Sequence, residues 1–113
     1  MWTYTLYMLD AYMKRSNRTR NINFEDFANF VFGQLWKRQH IVFHDSKEDL
    51  KTDVLTMDKL GLIEYNKPLN QIDISTEKHD RITRIAEGFR NDPMRKRIPL
   101  VNIYIEKVDS LAR

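Results

Sequence analysis

Between Trp2 and Met13 the chain leaves almost no polar side for water. Trp2, Leu6, Leu9 and Met13 recur at i, i+4, i+7 and i+11, the spacing of one helical face, while Tyr4, Tyr7, Met8 and Tyr12 carry apolar surface onto the other faces. A helix apolar nearly all round is stable only when it is covered, so the rest of the chain, or a partner, must enclose it. A bilayer is not the expected cover. No run approaches the roughly 18 uninterrupted apolar residues of a membrane span. In "MWTYTLYMLDAYMKR" the charge follows the apolar part, the reverse of a secretory leader. A cytoplasmic chain with no membrane partner is therefore expected. With 113 residues, 42% of them hydrophobic and 31% charged, one domain over residues 1–113 with one modest core is predicted. The absence of cysteine excludes disulfides and thiolate-rich zinc sites.

After a polar, basic loop from Arg15 to Asn23, Asn23 is placed to cap a second helix, with Glu25 and Asp26 in its first turn. Phe24, Phe27, Ala28, Val31 and Leu35 form its buried stripe, with Phe30, Phe32 and Trp36 left over; Lys37 and Arg38 suit its C-terminal end. Ile41–His44 reads as a brief strand or an extended link. "SKED" reads as a capping box in which Ser46 caps a third helix and Asp49 reaches back. Leu50, Val54, Met57 and Leu60 lie on one side of that helix, Leu55 points away, and Gly61 is a natural left-handed stop. There the apolar period changes from 3.6 to 2. Leu62–Tyr65 and Gln71–Ile74 form two limbs joined through Asn66–Asn70, a hairpin. Thr76 is a candidate cap for a fourth helix with Ile82, Ile85, Ala86 and Phe89 on one face, ending near Pro93. "MRKR" interrupts, and Pro99 suits the first position of a last helix carrying Leu100, Ile103, Tyr104, Lys107, Val108 and Leu111, widened by Val101 and Ile105. A strand through "VNIYI" is the alternative. The class is mainly α with a small β-hairpin.

The string "DLKTDVLTMDKLGLIEYNKPLNQIDISTEK" resembles the recognition helix and wing of winged helix-turn-helix domains, in which "L-x-x-L-x-x-x-G-L-I" closes the recognition helix in many bacterial and archaeal regulators. The resemblance covers roughly residues 24–90 and implies a winged-helix core with extra terminal helices. It further implies sequence-specific binding of double-stranded DNA by a prokaryotic or viral transcription regulator. On that reading Thr52, Thr56 and Lys59 face the major groove, Lys47 and Lys51 anchor the backbone, and Lys67 and Asn70 of the wing tip, beside Gln71, touch phosphate or minor groove. Arg18 and Arg20, with Arg15, form either a basic arm touching phosphates or a solvated loop. The surplus of apolar side chains on residues 2–15 and 99–112 points to a homodimer through Trp2, Leu6, Leu9, Leu100, Ile103, Tyr104, Val108 and Leu111.

Charge distribution supports a second reading. Residues 1–40 hold six Lys/Arg and three Asp/Glu (+3), residues 41–75 four and seven (−3), and residues 76–113 nine and six (+3). The acidic middle third, which contains helix three, suits a protein-interaction module without DNA binding. The densest positive cluster, Arg90, Arg95, Lys96 and Arg97, is either a second DNA contact or a solvated hinge. His40, His44 and His79 with Asp45 lack the spacing of a metal site, so no metal or cofactor is expected. No Gly-rich phosphate loop, Gly-x-Ser-x-Gly or cysteine nucleophile marks an enzyme. The four phenylalanines of helix two have core spacing rather than that of a base-stacking platform.

Overall fold

The computed structural model describes residues 2–37 and 44–112. The expected strand or link at Ile41–His44 lies, apart from His44, outside these residues, as do Arg38, His40 and the side chains of Leu35 and Trp36. The described chain is mainly helical with a small three-stranded antiparallel sheet.

Helix α1 (Trp2–Ser16) is enclosed from several directions, as its all-round apolar surface requires. Leu6 and Leu9 are wholly buried, and so is every residue from Thr5 to Ala11. Asn17, at φ 55°, ends the helix in the left-handed region that asparagine tolerates. Helix α2 (Phe24–Asn29) starts where expected, because Asn23 Oδ1 accepts from the N–H groups of Glu25 (2.8 Å) and Asp26 (3.2 Å). It does not continue as an α-helix. Phe30–Lys37 winds as a π-helix, whose extra residue per turn re-phases the side chains so that Phe30 and the adjacent Val31 both enter the core. Tyr12 of α1 meets the rings of Phe27 and Phe30 edge-on.

Helix α3 (Lys47–Lys59) begins at Ser46, whose Oγ accepts from the Asp49 N–H. The Asp49 carboxylate reaches one residue further back than a capping box requires, to the N–H of Asp45. At the other end Leu62 N–H donates to Met57 O (2.9 Å) and Gly61 N–H to Asp58 O (3.0 Å). With Gly61 at φ 76°, this is a Schellman turn. Leu60, expected in the buried stripe, is 52% exposed, because it is the cap residue where the helical spacing ends. Leu62 and Ile63 then bury at once.

Strands β2 (Glu64–Asn66) and β3 (Gln71–Asp73) form the expected hairpin, slightly shorter than its apolar alternation. A third strand, β1 (Ile22–Asn23), pairs with β3 through Ile22 and Ile72, giving the order β1-β3-β2. It went unforeseen because two residues cannot display an alternation. Helix α4 (Thr76–Asn91) is capped by Ser75 rather than Thr76, the Ser75 Oγ accepting from Lys78 N–H. Where "MRKR" was expected only to interrupt, a single turn, α5 (Pro93–Lys96), is capped by Asp92. Helix α6 (Pro99–Ala112) excludes the strand alternative.

The terminal helices cover one another, which corrects the expected dimer surface. Leu6, Leu9, Tyr104, Val108 and Leu111 lie in the chain's own core, and Trp2 is half-buried against it. Tyr104 donates its hydroxyl to Tyr4 O (2.8 Å) and packs edge-on against the Tyr4 ring. That anchor turns Val101, Ile105 and Val108 inward and leaves Leu100 (77% exposed) and Ile103 outside, with Met94 and Ile98 also exposed.

The Schellman turn gives a direct test. A methyl group at Gly61 would meet no atom within 4 Å, so Gly61→Ala should cost only the left-handed backbone penalty, about 1–2 kcal/mol. Urea unfolding should show that loss with an unchanged m-value, and Gly61→Asn should lose less.

Candidate nucleic-acid interface

The outward side of α3 and the β2–β3 hairpin form one continuous surface, and the residue that joins them is Lys51. Its Nζ lies 4.3 Å from the centre of the Phe24 ring and 5.0 Å from that of Tyr65. It donates to Tyr65 Oη (2.8 Å) and Asn70 Oδ1 (2.9 Å). Tyr65 donates its own hydroxyl to Asn70 Oδ1 (2.6 Å), and Tyr65 N–H donates to Asp58 Oδ1 on α3. Asn70 holds the left-handed conformation at φ 51°, and its carbonyl accepts from Phe24 N–H (2.9 Å). One ammonium therefore ties the start of α2, the middle of α3 and both limbs of the hairpin. Lys51 and Asn70, expected as DNA contacts, are engaged in holding the hairpin.

Lys47 is also engaged, at 2.7 Å from Glu25. Thr52 is exposed and Thr56 half-buried; their hydroxyls donate to Glu48 O and Thr52 O (2.9 Å each), which leaves each oxygen its acceptor lone pairs. Lys59 and Lys67 are exposed, as are Glu48 and Leu55. A groove of about 360 Å³ between helix and hairpin is lined by Lys51, Leu55, Tyr65, Lys67 and Asn70. Arg18 and Arg20 are exposed in the loop before β1, where Thr19 O accepts from Ile74 N–H and so ties that loop to the chain just beyond β3. The positive cluster at 90–97 lies elsewhere. Arg95 stacks on Phe89, and both line a small pocket with Thr3 of α1, whereas neighbouring Thr5 faces α3.

Two partly buried polar clusters escaped the sequence reading, because each joins α1 to residues far along the chain, 48 positions away for Thr5–Asp53 and 102 for Tyr7–Asp109. In one, Arg90 donates to Tyr7 Oη (3.0 Å) and to both Asp109 oxygens, and Tyr7 donates to Asp109. Burial and the bond to Asp109 push the Tyr7 phenol well up. Burial disfavours the Arg90 charge, but the bonds to Tyr7 and Asp109 outweigh it and raise its pKa. The cluster locks α1 to α4 and α6. In the other, His44 Nε2 lies 2.9 Å from Thr5 Oγ1 and 2.8 Å from Asp53 Oδ2, and Thr5 donates to Asp53 (2.7 Å).

Threonine, histidine and aspartate suggest a hydrolytic triad, but the geometry is not one. Both oxygens meet the same imidazole nitrogen, Nδ1 is buried without a partner among the described residues, and Thr5 is fully buried. The cluster pins α1 to α3. Among the described residues no group of three His, Asp or Glu side chains converges as a metal site. No described helix is long and apolar enough to cross a membrane. Comparison with known proteins yields no matching family model, and neither a curated protein nor a solved structure gives a significant match.

Two outcomes are expected. Lys51→Met should lower stability by about 1–2 kcal/mol, the scale of a partly desolvated cation–π contact plus hydrogen bonds. Its larger effect should be loss of amide-exchange protection confined to residues 64–73. Burial raises the pKa of Asp53, but the bonds from Thr5 and His44 outweigh it and hold the carboxyl below its ordinary value. Its stabilisation is therefore complete above that ordinary value, about 3.9, and disappears as pH falls through the lower folded-state value. The stability gap between wild type and Asp53→Asn, measured by urea unfolding, should be widest above pH 5 and close toward pH 2.

Proposed function

We propose that this chain is a winged-helix module that reads double-stranded DNA, with α3 as recognition helix and the β2–β3 hairpin as wing. The observation carrying this reading is the joint surface: a helix with Thr52, Leu55, Thr56 and Lys59 on its outward side, tied through Lys51 to the hairpin. The order α1-β1-α2-α3-β2-β3 with sheet order β1-β3-β2 supports it. Thr52 and Thr56 spend their hydroxyl protons on the helix backbone. They therefore offer base edges acceptor lone pairs for adenine or cytosine amino groups, and methyls for thymine. Lys59 supplies a donor beside them.

Phosphate contact falls to Lys67, Arg18 and Arg20, because Lys59 faces the base edges, Lys51 is held by the hairpin and Lys47 is paired with Glu25. A second reading, docking of a protein on the same face, is favoured by the exposed Glu48 and by Leu55, 41% exposed. Duplex fragments selected from a random pool separate the two. Three phosphate contacts per chain give log Kobs against log[salt] a slope of roughly −2.7. Lys67→Ala should make that slope shallower by about 1, whereas Lys51→Met should weaken binding with the slope unchanged. Absence of duplex binding at low salt, with recovery of a stoichiometric protein partner, would replace DNA by protein.

A further inference from the structure

The hairpin ends in an arrangement that electrostatic anchoring does not need. Leu69, at its tip, is 59% exposed and follows Lys67 and Pro68, both exposed. A leucine on a slack loop would fold back onto apolar surface, yet this tip is held at each step. Leu69 N–H donates to Asn66 Oδ1 (3.2 Å), and Asn70 N–H donates to Lys67 O (3.2 Å). Asn70 Oδ1 is fixed by both Lys51 and Tyr65. Pro68 removes a further backbone freedom. The result is an apolar side chain held away from the core by polar bonds, with a lysine two residues before it.

We infer that Leu69 is a wedge that enters the minor groove, partly unstacks one base step and bends the duplex. This rests on the DNA-binding reading above and adds a deformation that helix contacts alone do not produce. The chemistry fits. Apolar side chains that intercalate from the minor groove must be presented rigidly, because unstacking is unfavourable and a mobile side chain would escape it. A cation beside them is drawn to the negative potential of a narrow groove, which is the part Lys67 is placed to take. Flexible pyrimidine–purine steps, TA and CA/TG, are the preferred sites because they deform most easily. Specificity at the wing is therefore for deformability rather than for a hydrogen-bond pattern.

The test uses the full chain and a 30-base-pair duplex obtained by selection from a random pool at low salt, labelled at its ends for energy transfer. Wild type should shorten the end-to-end distance by an amount corresponding to a bend of roughly 20–90°, with a flexible step under the hairpin. Leu69→Ala should still bind, within about tenfold of wild type, but leave the duplex straight. Leu69→Ile, an apolar side chain of the same volume and stiffer at χ1, should restore the bend. Far-UV circular dichroism should show all three folded alike, since the side chain lies outside the core. Binding by wild type with a straight duplex, or a bend unchanged in Leu69→Ala, overturns the wedge and leaves the DNA-binding reading standing. No duplex bound by wild type overturns both.

Discussion

Helix α1 has no face that can be left to water, and the rest of the structure is arranged to satisfy that. Thr5 meets Asp53 of α3, Tyr12 meets Phe27 of α2, Tyr7 meets Arg90 of α4 and Asp109 of α6, and Tyr104 closes on the Tyr4 carbonyl. Burying a large apolar side chain fully contributes about 1.5–3 kcal/mol. The apolar residues of α1 thus form a large share of what offsets chain entropy in a domain this small. The polar contacts add orientation. Hydrogen bonds that span 48 to 102 residues fix how each surrounding helix is rotated against α1, which hydrophobic burial alone leaves loose.

The rotation of α3 is the one with consequences for function. Asp53 faces α1 through Thr5 and His44. Two residues earlier, Lys51 leaves the helix toward the hairpin. These two anchors hold the helix from both sides, so the side carrying Thr52, Leu55 and Lys59 is the one left to solvent. The Schellman turn at Gly61 then returns the chain against the helix it has just left. Helix and hairpin consequently form a preorganised surface, and a partner that uses both does not need to order either.

Much of this was legible in the residues. Caps and stops read well because they depend on one side chain and its own turn, as with Asn23, Ser46, Gly61 and Pro99. Features that depend on distant partners did not. The π-helical winding after Asn29 goes with the burial of both Phe30 and Val31 against the rest of the core, and β1 is defined by its pairing with β3. The buried side of α6 depends on a distant partner too: its apolar residues span a wide face, and with Tyr104 bonded to Tyr4 the side carrying Val101, Ile105 and Val108 is inward while Leu100 and Ile103 are outside. The candidate surface was half legible. Thr52 and Lys59 are outward as their wheel positions require. Nothing in the spacing of Lys51 foretold that its ammonium would sit between two aromatic rings.

Charge leaves two faces to compare. The α3–hairpin face presents Lys59 and Lys67 beside Glu48, whereas the turn near Arg95 presents Lys96 and Arg97, with Arg95 paired to Asp92, and has no helix-and-hairpin geometry. Backbone amide shift mapping during titration with a selected duplex distinguishes them most directly. On the DNA-binding reading the largest changes fall on Thr52, Thr56, Lys59 and the Lys67–Asn70 tip, with smaller ones at Arg18 and Arg20. Changes confined to residues 94–103, with α3 and the hairpin silent, would contradict it.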